Sequence, residues 1–136
     1  MKFGLQIKPE DCSLLGQEIL KYMEKTGLSM RKLASQAGIT QPGLRVIILK
    51  GGNPTESNIN KLARLMGKRP LELYQLVYED KIRAMAEPDA IDVLIRVFDD
   101  LLKSFWKLAG QLPEDRRPSD YELLDKALKT IKSFQE

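Results

Sequence analysis

The sequence of 136 residues has no histidine, one cysteine and one tryptophan. Each scarcity removes a class of chemistry. A zinc site needs Cys or His ligands in numbers this chain does not have. Without imidazole, proton transfer at neutral pH falls to carboxylates or Lys/Ser pairs. The acidic pairs Glu79-Asp80 and Asp99-Asp100 fall on solvent faces of expected helices, and no convergent constellation emerges. Neither an enzyme nor a bound metal or cofactor is expected. Cys12 has no partner for an internal disulfide, which suits a reducing cytoplasm. No hydrophobic run is long enough to span a bilayer. The opening Met1-Lys2-Phe3-Gly4-Leu5-Gln6-Ile7-Lys8 lacks the apolar stretch of a signal peptide, so a cytoplasmic protein with no membrane partner is expected.

What is present is unevenly distributed charge. The formal net charge is only +3. Residues 1–30 are neutral overall, and residues 71–136 carry net −4. Between them, Arg31, Lys32, Arg45, Lys50, Lys61, Arg64, Lys68 and Arg69 face Glu56 alone, a local net of +7. Such a concentration is either a solvated basic surface or the footprint of a polyanionic partner. The length suits one domain, or a small domain with an extension.

The basic segment coincides with a patterned stretch, Leu28 to Pro54. Ser29 is placed to cap a short helix by accepting a backbone N–H. Leu33, Ala34 and Ala37 share one face of it. Gly38 supplies the positive φ that ends it. Ile39 fills the corner, Thr40 caps the next helix, and Pro42 is harmless in its first turn. Leu44 and Ile47 point back at the first helix. Ala34 is small where two steeply crossed helices approach.

Counted from Met30, the small residue is fifth and the glycine ninth, with apolar residues at positions four, eight, ten, fifteen and eighteen. This pattern resembles the helix-turn-helix signature. Leu15-Gly16, Gly27-Leu28-Ser29, Gly51-Gly52-Asn53-Pro54 and Leu62-Ala63-Arg64-Leu65-Met66-Gly67 narrow the resemblance to the phage repressor/Cro-like (XRE) family, over about Ser13 to Leu76.

The resemblance implies a fold and a site. The fold would be all-α, a five-helix domain over residues 11–86. Its second motif helix would enter the major groove of double-stranded DNA. Base-facing positions would be Gln41, Pro42, Gly43, Arg45 and Val46. Phosphate-facing positions would be Ser29, Met30, Arg31, Lys50, Asn53 and Thr55. The implied activity is transcription regulation by a homodimeric repressor on a two-fold symmetric operator. The sequence departs from the family pattern where Met30, Pro42-Gly43, Val46, Ile48 and Leu49 replace polar residues. An apolar recognition helix fits weaker base readout, packing of Ile48 and Leu49 under another segment, or a protein-binding module that keeps the fold.

The flanks are read from periodicity. Phe3, Leu5 and Ile7 alternate with polar residues, so residues 1–10 are expected as a short β-like arm that pairs with its symmetry mate, lies over a helical groove, or frays. Leu15, Ile19, Leu20 and Met23 mark an inner helix face. Further helices are expected from Thr55 to Gly67 and from Pro70 to about Ala86. Glu87-Pro88-Asp89 breaks the chain, and residues 87–136 form a helical region. There Ile91, Leu94, Phe98, Leu101, Phe105, Leu108 and Leu112 make a heptad seam, widened by Ile95, Leu102 and Ala109. Ser119 and Glu122 have capping-box spacing. Tyr121, Leu124, Leu128 and Ile131 make a second amphipathic helix, giving an αα-hairpin. Its apolar surface is expected to be buried by dimerisation through Ile91, Leu94, Phe98, Leu101, Phe105, Leu108, Leu124, Leu128 and Ile131, or by folding back on the first domain.

Overall fold

The structure is a computed structural model and describes residues 7–134. Phe3 and Leu5 of the expected arm lie outside the described residues. After a 3-10 turn at Pro9–Asp11 come seven α-helices: α1 (Leu14–Thr26), α2 (Met30–Ala37), α3 (Gln41–Ile48), α4 (Glu56–Met66), α5 (Pro70–Met85), α6 (Ile91–Ala109) and α7 (Asp120–Ser133). The described residues are all-α, with one isolated antiparallel bridge between Cys12 and Leu49.

Hydroxyl caps set where these helices begin. The side chains of Ser13, Ser29, Thr40, Thr55 and Ser119 each accept a hydrogen bond from the N–H three residues on. Each satisfies a donor that the helix itself leaves orphaned. Gly38, at φ 75°, closes α2 in the left-handed region, and its N–H and that of Ile39 return to the Ser35 and Ala34 carbonyls.

The chain forms two compact units, Met1–Val77 and Tyr78–Glu136. In the first, Leu15, Ile19, Met23, Leu33, Leu44, Ile48, Ile59, Leu62 and Leu73 are essentially removed from solvent. Two tyrosines tie its layers together. Tyr22 donates to the Leu65 carbonyl at 3.2 Å, and Tyr74 donates to Asn60 Oδ1 at 3.1 Å.

The tightest approach lies where α1 begins. A Cβ built on Gly16 would overlap the carbonyl of Ile48, backbone that has no freedom to swing aside. Ala34 is buried at the α2 side, as the motif requires, but the crossing that tolerates no side chain is at Gly16.

The second unit begins at Tyr78, upstream of the Glu87-Pro88-Asp89 break. The run from Tyr78 to Lys81 is not given over to solvent. Tyr78 is buried, stacked on Phe98 at 6.2 Å and edge-on to Tyr121 at 6.0 Å, and Ile82 is buried one turn on. The distal half of α5 is therefore a third element in the hairpin's core.

This changes the fate of the heptad seam. α6 buries Leu94, Phe98, Leu102 and Ala109, and α7 buries Leu124, Leu128 and Ile131. Of the residues expected at a dimer interface, Leu94, Phe98, Leu124, Leu128 and Ile131 are thus committed within one chain. Ile91, Leu101 and Phe105 are half-buried, and Leu108 is 60% exposed. The physical reason is rotation. In a straight helix the i, i+4, i+8 row lies on one face and drifts off a strict seven-residue repeat, and here that row, Leu94, Phe98 and Leu102, is the buried one.

Two outcomes test this packing. Gly16→Ala is expected to lower stability by roughly 3 kcal/mol, because overpacking here meets backbone; thermal unfolding reads it. The Asp99 carboxyl is pushed above its usual 3.8 by burial, then by the neighbouring Glu79 charge. A raised folded-state pKa favours folding with the proton on, a contribution present below 3.8 and lost as pH rises through the folded value. Asp99→Asn is therefore expected to raise the denaturation midpoint at pH 7 and give no gain below pH 3.8.

Candidate nucleic-acid interface

α3 is eight residues long, too short to hold itself together in isolation, so neighbours fix its position. Its N-terminus is set by the turn from α2. Thr40 Oγ1 accepts from the Gly43 N–H at 3.1 Å, and Lys61 of α4 donates its Nζ proton to the Gly38 carbonyl at 3.3 Å. Beside Gly43, the space for a Cβ is taken by the Thr40 hydroxyl.

The C-terminus of α3 is held more firmly. Ser13 N–H donates to the Ile48 carbonyl at 2.9 Å, and Lys50 N–H donates to the Asp11 carbonyl at 3.0 Å. The Ser13 hydroxyl also donates to the Ile47 and Ile48 carbonyls at 3.1 and 3.3 Å. Gly51, at φ 83°, then turns the chain so that Gly52 lies under the Val46 carbonyl, where a Cβ would overlap it. Beneath the bridge, Cys12 is buried and its Sγ donates to the Lys8 carbonyl at 3.4 Å. Burial pushes the Cys12 thiol up from its ordinary pKa, so it stays a packing group with little thiolate.

With both ends fixed, the faces of α3 separate. Leu44, Ile47 and Ile48 are buried. Ile48, apolar where the family pattern is polar, is fully buried in the core of the unit, while Leu49 is half-buried and its backbone bridges to Cys12. Gln41, Pro42, Arg45 and Val46 are exposed, Val46 by 57%, while Gly43 is half-buried. Among the expected phosphate-facing residues, Arg31, Lys50, Asn53 and Thr55 are exposed and Ser29 is half-buried. For Met30 the expected contact is through a backbone N–H at the start of α2. The Met30 side chain is buried in the core, so only its backbone in the first turn of α2 remains for a phosphate.

The electrostatics of the segment that holds the motif are one-sided. Arg31, Lys32, Arg45, Lys50, Arg64, Lys68 and Arg69 are exposed, and Lys61 is half-buried. The ion pairs among the described residues are Glu18–Lys21, Glu79–Arg83 and Asp125–Lys129, and they include none of these eight. Apart from Lys61, whose ammonium meets the Gly38 carbonyl, these cations are left to solvent or to a partner.

Three residues that the motif does not mark govern this geometry: Ser13, Lys61 and Gly52. In the sequence Gly52 stood only as part of a loop, Lys61 only as part of the cationic segment, and Ser13 only as the edge of the pattern; Ser13 caps α1. Its second role needs the fold, because Ile47 lies 34 residues away.

Compared with known proteins, residues 19–73 match the helix-turn-helix family. No curated protein and no solved structure matches the chain. The matched segment, from inside α1 to the first turn of α5, is a helix-turn-helix domain of the Cro/C1 (XRE) family. Such a domain is a DNA-binding module of regulators. Among the described residues, no group of three or more Cys, Asp or Glu could hold a metal ion, and no helix is long and apolar enough to cross a membrane.

The two roles of Ser13 give a ranking. Ser13→Ala is expected to cost about 2 kcal/mol, against about 1 kcal/mol for Thr55→Ala, which removes a cap alone. Urea midpoints at constant m-value distinguish them.

Proposed function

We propose that this chain is a sequence-specific transcription regulator that binds a two-fold symmetric operator as a homodimer and represses from it. The observation that carries the reading is the outward face of α3, with Gln41, Arg45 and Val46 exposed in a segment whose cations make none of the ion pairs found. Gln41 suits adenine, because an amide both accepts from and donates to the N6/N7 edge. Arg45 suits guanine bidentately, or a phosphate. Val46 suits a thymine methyl. Pro42 and Gly43 bring no hydrogen-bonding side chain but let the helix backbone approach the groove.

Arg31, Lys50, Asn53, Thr55, the half-buried Ser29 and the first-turn backbone at Met30 would hold phosphates on either side, positioning without reading sequence. Two copies would set their α3 helices in successive major grooves, about 34 Å apart. The first unit is assigned to DNA and the second to pairing, in a cytoplasmic protein.

A second reading has its own observation. Val46 is 57% exposed beside Pro42, an unusually apolar surface for a base-reading helix. That surface also suits a protein partner, as in an antitoxin or assembly factor that keeps the fold.

A gel shift on the DNA upstream of the protein's own coding sequence separates the two. Retardation that falls steeply with salt is expected, since cations bound to phosphates release counterions. Gln41→Ala and Arg45→Ala should each weaken specific binding about 10- to 100-fold, in line with ~1–3 kcal/mol per base contact. No shift at low salt, with both variants silent, favours the protein-binding reading.

A further inference from the structure

α6 has more apolar surface than its own unit covers. Leu94, Phe98, Leu102 and Ala109 are buried, but Val93 is 57% and Leu108 60% exposed, with Val97 and Leu101 half-buried between them. At 3.6 residues per turn, these four fall within an arc of roughly 80° and make a stripe along most of the helix. Leu112, just past the helix end, extends it and is also exposed. A stripe this long on one helix marks an interaction surface more than scattered surface apolarity.

The charges of α6 say what kind of partner fits. Its first half carries Asp92, Asp99 and Asp100 against Arg96, and its second half carries Lys103 and Lys107 with no acid. None of these six makes an ion pair among the described residues. A helix whose two ends carry opposite net charge complements its own reversed copy. Antiparallel pairing sets carboxylates opposite lysines and opposes the two macrodipoles, whereas parallel pairing sets like against like.

We propose that a second copy of this chain docks on the stripe from Val93 to Leu108, the two α6 helices running antiparallel about a two-fold axis near Leu102 and Lys103. In that register Val97 meets Leu108 of the other copy and Val93 meets its Leu112, so the stripe is self-complementary, as a two-fold interface must be. The proposal deepens the homodimer reading and rests on it. It replaces the interface expected from the heptad, whose inner residues are committed within one chain.

Sedimentation of the full chain tests it without DNA. The unsubstituted protein should run as a dimer at micromolar concentration. Leu108→Glu and Val93→Glu alter exposed positions, so each should give a monomer with unchanged helical circular dichroism. Orientation is read by cross-linking in a Cys12→Ala background. A mixture of Val97→Cys and Leu108→Cys chains should form a mixed disulfide dimer far more readily than either alone. Arg45→Ala should remain dimeric, so loss of pairing and loss of DNA binding are separable. A monomeric unsubstituted protein, a dimer that survives Leu108→Glu, or Val97→Cys cross-linking to itself as well as in the mixture would each overturn the proposal.

Discussion

The seat of α3 on the start of α1 is the constraint on which the candidate site depends. Gly16 leaves no side chain between the two, and Ser13 binds the last carbonyls of α3 through both its amide and its hydroxyl. An eight-residue helix has little stability of its own. Held at the front by Thr40 and Gly38 and at the back by Ser13, Gly16 and Gly52, it becomes a rigid ledge. Its outer side chains then have nothing structural to do. That division lets Gln41, Arg45 and Val46 stay exposed without cost to the fold.

The same seat resolves an apparent conflict in the composition of α3. Ile48 and Leu49 look wrong for a helix that meets nucleic acid, yet Ile48 is fully buried in the core and Leu49 is half-buried. Val46 alone remains as exposed large apolar surface on α3. The departure from the family's polar pattern is therefore mostly a packing matter, and the readable face is smaller than the helix.

Local signals were the legible ones. Hydroxyl caps, the positive-φ Gly38 and the small Ala34 act within a few residues of themselves, so the helices and the motif could be read directly. What escaped depends on distant partners. Gly16 stood in the pattern, but its reason, the Ile48 carbonyl, is a tertiary fact. Tyr78 is followed by Glu79, Asp80 and Lys81, and its burial depends on Phe98 and Tyr121, which no local pattern reveals. The heptad in α6 was a true apolar stripe, but Leu94 and Phe98 of the seam pack within the chain together with Leu102 and Ala109 of the widening row, while Leu101 is half-buried and Leu108 exposed. Which cations face a partner was legible only as a charge imbalance between segments.

Electrostatics gives the two ends of the chain different tasks. The segment holding the motif is strongly cationic and the remainder is acidic. Net negative charge in the second unit repels phosphate, which favours nucleic-acid contact by the first. The most direct measurement is an amide NMR titration of the full chain with duplex DNA from upstream of its own coding sequence. The account predicts that resonances from Thr40 to Val46, with Arg31 and Lys50, shift or broaden at sub-stoichiometric duplex, while those of α6 and α7 do not. Perturbation confined to α6 and α7, or none in α3 at low salt, would contradict it.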